Sequence, residues 1–193
     1  MPDIDVSKLT PYVITLDRNS PKVDIGVMKN HGVVGALIEA GYLFTATHTK
    51  LSTNKDWYRN PYLTDQIKAV EEQDLDYGLY FYARARNSSE VNEEIDGVSV
   101  IIRNHYLKLG VWIVPNLTNS ISTNDALLDL YYTKLSEFGV SGRIGLYCNR
   151  DFLKNKITWS KHYLKWYLWL VDHVDDVSKL DKLLTPEVFD VEI

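Results

Sequence analysis

Tyr77-Gly78-Leu79-Tyr80-Phe81-Tyr82-Ala83 is a strand-like run, and Gly110-Val111-Trp112-Ile113-Val114-Pro115-Asn116-Leu117 contains a second one. Between them, residues 88–107 place Val91, Ile95, Val98, Ile102 and Tyr106 on one face at helical spacing, with Ser88 or Ser89 as the N-cap. A strand, a helix of this length and a second near-continuous apolar strand make a β/α/β unit. Strands so joined run parallel and are covered on their outer face.

The same grammar extends in both directions. Upstream, Val33-Val34-Gly35-Ala36-Leu37-Ile38-Glu39-Ala40 reads as a buried strand. It is followed by a helix over residues 60–74, with Pro61 in its first turn and Leu63, Ile67 and Val70 on its apolar face. Downstream, residues 125–138 form a helix ending at Gly139, residues 143–148 a strand, and residues 167–171 a further strand. The alternation predicts an α/β fold: a β/α TIM-like barrel, closed or nearly closed and open to irregularity, preferred over an open doubly wound sheet. In such a barrel the functional groups sit at the C-terminal ends of the strands. Residues 1–12 read as an N-terminal arm and residues 13–193 as one domain.

Composition narrows the class. A chain of 193 residues buries roughly 70% of its unfolded surface. The net charge is −5, and Lys and Arg are scattered rather than gathered into a stripe. That speaks against a nucleic-acid partner, which is held by displacing counterions, and it leaves saccharides open. Cys148 is the only cysteine, so the fold rests on packing alone. The five histidines show no metal-binding spacing, and neither a metal nor a cofactor is expected. The first residues lack the basic and apolar regions of a secretory signal, and the apolar run at residues 166–171 is too short for a bilayer. No membrane partner is expected.

Thirteen Tyr and five Trp are many for this length. Trp57, Tyr80 and Tyr82 stand on loops or strand ends, where flat rings can stack on sugar; the blander use of any one of them is as barrel filling. Trp159, Tyr163 and Trp166 belong to a dense C-terminal cluster that, where exposed, suits a protein–protein contact.

Several stretches together resemble the family-25 glycoside hydrolases, lysozymes of phages and bacteria. They are Ala36-Leu37-Ile38-Glu39-Ala40-Gly41-Tyr42, Asn60-Pro61-Tyr62, Gly78-Leu79-Tyr80-Phe81-Tyr82-Ala83-Arg84-Ala85, Arg143-Ile144-Gly145-Leu146-Tyr147-Cys148-Asn149, Trp169-Leu170-Val171 and Phe189-Asp190-Val191-Glu192-Ile193. The resemblance implies a β/α barrel that cleaves the β-1,4 bond after N-acetylmuramic acid. It also implies an Asp on the first strand, an Asp-x-Glu pair on a central strand and an Asp near the C-terminus. Asp17 and Asp190 match the outer two. The central pair falls on Val114 and Asn116, and shifting the alignment by two gives Asn116 and Thr118. No register restores an acid, because neither Asp nor Glu occurs between Asp96 and Asp125.

Glycoside cleavage needs a protonated carboxyl and a second carboxylate or its equivalent; loss of the general acid alone removes on the order of 10²–10⁴-fold of rate. Asp17 is either a surviving carboxylate or, as Asp more often is after a strand, a turn residue. Glu39 is the one candidate for a replacement acid, at a position that is usually basic in the family. The expectation is therefore a degenerate, non-cleaving lysozyme-like barrel. It would serve as a structural or adhesive module of a phage virion, in tail or baseplate, with virion proteins or cell-wall polysaccharide as partners. Its place would be the virion, or release from a bacterial host. The alternative is an active muramidase whose acids lie elsewhere.

Overall fold

The computed structural model describes residues 12–44, 56–140, 143–162 and 164–170. Within them, β1 (Tyr12–Leu16), β2 (Val33–Phe44), β4 (Asp76–Ala83), β5 (Gly110–Pro115), β6 (Ile144–Cys148) and β7 (Tyr167–Leu170) pair in parallel in that spatial order. A short β3 (Asp56–Arg59) folds back antiparallel on the end of β2. The helices are α1 (Ile25–Asn30), α2 (Leu63–Glu71), α3 (Ser88–Ile102), α4 (Ile121–Leu135) and α5 (Arg150–Asn155).

The sheet curls. Thr15 on β1 and Tyr147 on β6 stand at separated places in the strand order, yet the Thr15 side chain comes near enough to act on the Tyr147 hydroxyl. The result is a half-barrel, with one concave face and helices behind the other. Period-two alternation sorts the side chains. Leu16, Ile38, Leu79, Phe81, Val111, Ile113, Ile144 and Leu146 face the helix side and are buried with Val91, Ile95, Leu128 and Leu135. In register with one another on the concave side are Leu37 and Gly78, Glu39 and Tyr80, and Tyr80 and Trp112. Gly145 is needed there, since a Cβ on it would lie 2.2 Å from the Trp112 ring.

The helix boundaries differ from the sequence expectation for local reasons. Asn60 forms a turn in which its Oδ1 accepts from Tyr62 N–H at 3.0 Å, so Pro61 lies in the turn and α2 begins at Leu63. Asn87, rather than Ser88 or Ser89, caps α3, accepting from Glu90 N–H at 3.1 Å. Ser120 caps α4, its Oγ accepting from Thr123 N–H at 3.3 Å, and the helix begins at Ile121, four positions before the expected start. Asp125 is consequently a mid-helix residue. Its Oδ1 accepts from Thr158 N–H at 2.8 Å and meets the fully buried His162 at 3.1 Å, tying the approach to β7 onto α4. The helix α4 runs into a π-helical turn, Ser136–Val140, where Gly139 takes φ 75°.

β1 begins at Tyr12, so the last residue assigned to the N-terminal arm is a strand residue. Val171, Phe189 and Asp190, expected in closing strands, lie outside the described residues, as does Tyr163. No helix among the described residues is long and apolar enough to cross a membrane.

Candidate functional site at the concave mouth

Parallel strands direct their C-terminal ends, with the residues that follow them, to one rim. Asp17 and Arg18 follow β1, Glu39 and Tyr42 sit on β2, Tyr58 on β3, Tyr80 and Tyr82 on β4, Arg84 just beyond β4, and Val114 near the end of β5. One irregularity decides which of them face inward. The β2–β4 register shifts between Glu39 and Gly41, so Glu39 pairs with Tyr80 and Tyr42 pairs with Tyr82. The extra residue, Ala40, puts Glu39 and Tyr42 on the same face, where unbroken alternation would turn Tyr42 away. Gly41 supports the bulge with φ 145°, and a Cβ there would lie 2.0 Å from the Tyr58 carbonyl oxygen.

Glu39 is fully buried at 0% exposure. Both of its carboxylate oxygens accept from Arg18: Oε2 from the backbone N–H and from Nε, each at 3.3 Å, and Oε1 from Nη2. The Arg18 side chain is 26% exposed and opens the pair to the rim. Burial works to strip its proton, and the charge and hydrogen bonds of Glu39 overrule that, so the guanidinium is held above its ordinary value. Three rings surround the cation, with the Arg18 guanidinium carbon 4.7 Å from the Tyr42 ring centre, 5.2 Å from Tyr58 and 5.7 Å from Tyr82. Arg84 comes to the same aromatic group, 4.3 Å from Tyr42 and 5.7 Å from Tyr82.

The rings continue across the concave face. Tyr42 stacks tilted on Tyr58 at 5.0 Å, and Tyr80 meets Tyr82 at 6.1 Å and Tyr147 at 5.9 Å. Tyr147 reaches Trp169 at 5.6 Å, and Trp169 reaches Trp112 at 5.8 Å. Burial first, then neighbouring negative charge that includes Glu39 and Asp17, raises the Tyr80 and Tyr82 hydroxyls above their ordinary values. They therefore stay protonated and can donate.

A buried amide pair holds the two carboxylate-bearing strand ends. Asn60 donates to the Glu39 carbonyl at 3.0 Å and to Gln66 Oε1 at 2.8 Å. Gln66 donates to the carbonyls of Asp17 at 2.7 Å and Ser20 at 2.9 Å. Neither Asn60 nor Gln66 was predicted as a site-shaping residue from sequence.

The sequence candidates fall in distinct places. Asp17 is in an Asx turn: its Oδ1 accepts from Asn19 N–H at 2.8 Å and from the Ser20 hydroxyl at 3.0 Å. Val114 pairs with Tyr82 on β5, and the exposed Asn116 follows the strand, its N–H donating to the Ala83 carbonyl at 2.8 Å. Glu39, Tyr80 and Tyr82 are brought together. Trp57 is not with them, because alternation along β3 sends it behind the sheet, 6.3 Å from Phe81 and against Gly97 of α3. Tyr58 is the β3 ring at the mouth. Trp166 is 4% exposed and belongs to the core, Trp159 packs half-buried against that core, and Tyr163 and Asp190 lie outside the described residues. Among the described residues no group of three or more His, Cys, Asp or Glu is placed to hold a metal ion.

Arg18, Tyr42 and Arg84 escaped the sequence reading. Arg84 directly follows the last residue of β4 and Arg18 lies two residues beyond β1, a signal available in sequence. The bulge that aims Tyr42 was not available there.

Another buried acid lies behind the mouth. Glu94 on α3 accepts from Arg84 N–H at 3.0 Å and 3.3 Å and from the hydroxyl of the fully buried Tyr131. Burial pushes its carboxyl up to about 7, against the pull of those donors. It faces the helix layer and anchors the backbone that carries Arg84.

No protein-family profile matches the sequence, and no curated protein sequence matches it. Solved structures do share the fold. The CTP1L endolysin superposes with a TM-score of 0.67 at 16% identity, over 84% of this chain and 53% of that one. The modular autolysin LytC of Streptococcus pneumoniae, solved with a synthetic peptidoglycan ligand, gives 0.67 at 17%, over 86% of this chain and 38% of that one. GHIP, a glycosyl hydrolase 25 of Streptococcus pneumoniae, gives 0.68 at 14%, over 89% of this chain and 72% of that one. The chain thus spans about half the length of the endolysin and less of the autolysin. In its fold it resembles family-25 glycoside hydrolases.

Proposed function

We propose that the chain is a lysozyme-type barrel that holds cell-wall saccharide without cutting it, as an adhesive or structural module of a phage particle. The observation that supports this is the state of the two carboxylates described at the mouth. Glu39 is committed to Arg18 through both oxygens, and Asp17 is engaged by Asn19 and Ser20. Where the resemblance places an acid pair stand Val114 and Asn116, neither of which can protonate a leaving oxygen. The row of rings from Tyr58 to Trp169 offers the flat apolar faces on which pyranoses stack, and the protonated tyrosine hydroxyls offer donors beside them. The fold's occurrence in endolysins and in an autolysin solved with a peptidoglycan ligand supports the choice of wall glycan.

The test uses a Gram-positive wall suspension. The expected outcome is co-sedimentation of the pure protein with walls, without clearing and without release of reducing ends. Release of muramic-acid reducing ends by homogeneous protein would establish the muramidase instead. The double variant V114D/N116E, checked for folding, is expected to gain measurable reducing-end release, because it returns a carboxyl pair to the end of β5. A purely structural role is the second reading, favoured by Leu164 and Tyr167, 83% and 55% exposed beside β7. It predicts no wall binding, and association with other virion proteins.

A further inference from the structure

We propose that Arg84 reads a carboxylate on the bound saccharide and so makes this mouth selective for acidic over neutral glycan. The inference rests on the saccharide-binding reading above.

The arginines around the rim differ in what they meet. Arg18 is balanced by the buried Glu39. Arg86, two residues beyond Arg84, is balanced by Glu90 at 3.2 Å. Arg59 donates to Thr64 Oγ1 at 3.2 Å. The exposed Arg84 guanidinium lies 4.3 Å from the Tyr42 ring centre and 5.7 Å from that of Tyr82; among the described residues no carboxylate hydrogen-bonds or pairs closely with it, and Glu94 on the helix side acts on it only through space.

A guanidinium seated over rings, with no hydrogen-bond partner among the described residues, keeps its N–H donors to offer. The N–H donors of arginine lie in one plane and match the two oxygens of a carboxylate. A group already held against rings gives up less further freedom when it binds, which favours a specific contact over a loose one. The backbone of Arg84 is held as well, because Glu94 takes its N–H from the helix side. Glu94 is therefore a positioning residue for the side chain that reaches the rim.

The neighbourhood leaves room for a ligand's negative charge. Val114 and Asn116 contribute none, the Glu39 charge is spent on Arg18, and the oxygens of Asp17 are turned to Asn19 and Ser20. A saccharide whose ring lies on the tyrosines can then bring a carboxylate substituent to the Arg84 edge.

Calorimetric titration of the full chain at pH 7 separates the possibilities. The probes are N-acetylglucosaminyl-N-acetylmuramic acid, which has a free carboxylate, and chitobiose, which has none. The acidic disaccharide is expected to bind roughly tenfold more tightly, the scale of one charge-assisted hydrogen bond at an exposed site. That preference is expected to shrink as salt is raised. In R84M, with an unchanged circular dichroism spectrum, the acidic disaccharide should fall to the level of the neutral one, while R84K should retain part of the preference. Equal binding of both sugars by the unmodified protein overturns the role of Arg84 and leaves the saccharide reading standing. A preference that survives in R84M does the same. Absence of binding by either sugar, together with absence of wall binding, overturns both.

Discussion

Glu39 and Glu94 are both buried glutamates near strand ends, 0% and 1% exposed, but they stand on opposite sides of the sheet and keep different company. Glu39 faces the concave mouth against a guanidinium and a cluster of tyrosines. Glu94 faces the helix layer, where its donors are a backbone N–H and the Tyr131 hydroxyl, both neutral. A carboxylate taken out of water needs compensation, and a full opposite charge supplies more of it than two dipoles do. The Glu94 carboxyl accordingly rises to about 7. The concave side of the sheet thus carries a fixed ion pair, and the helix side carries the acid pushed up to about 7. Burial alone does not mark a catalytic carboxyl; what faces it does.

The strongest way to break this contrast is E39Q. It leaves the Arg18 cation half-buried among rings without its counter-charge, and the expected loss is about 3 kcal/mol of unfolding free energy, near the lower end for a broken buried pair because Arg18 reaches water. Urea denaturation measures it. A loss below about 1 kcal/mol would mean that solvent screens the pair as it does surface ones.

A smaller effect is expected at Glu94. Its carboxyl binds a proton more tightly in the folded chain than at its ordinary value of 4.5, so protonation favours the fold. That contribution is complete below about pH 4.5 and is lost as pH rises through about 7. Between pH 5 and pH 7 it amounts to about 2 kcal/mol. E94Q should flatten this part of the stability profile, and chemical denaturation at several pH values tests it. A profile unchanged by E94Q would show that another group is responsible.

Least disruptive is Y131F, which removes one donor to Glu94 at a cost of about 1 kcal/mol. It sharpens the comparison, because the ionised carboxylate loses support and the falling limb of the profile should move to higher pH. A limb that stays in place would indicate that the Tyr131 hydroxyl does not hold the ionised form.

Much of the scaffold was legible because its signals are local. The apolar run at β4, the helical spacing of Val91, Ile95 and Val98 in α3, and the run at β5 each express a period that a short window reveals. Their alternation implied parallel pairing, which the sheet has; the barrel expected as closed or nearly closed is a curled half-barrel over the described residues. β3 was missed because it has only four residues, with Trp57 and Tyr58 side by side, which read as loop aromatics. The error at Trp57 has the same origin: without the strand there was no alternation to say which ring turns outward. The end of β2 was misread differently, since an inserted residue breaks the period without breaking the strand. Glu39 was picked out at the rim, but its partner lies 21 residues away and no spacing rule links them. The Asn60–Gln66 bridge was hidden for the same reason, because its targets, the carbonyls of Asp17, Ser20 and Glu39, belong to other elements.

The single surplus residue at Ala40 also sets a rule for anyone who would edit this rim. Shortening β2 by one residue beyond Glu39 would restore strict two-residue phasing. Tyr42 would then stand two positions after Glu39 and keep its side without the bulge, whereas ironing out the bulge with every residue retained would turn the ring that both guanidinium groups approach toward the helix layer. A redesigned β2 must therefore keep Tyr42 in phase with Glu39, either by the bulge or by a strand one residue shorter.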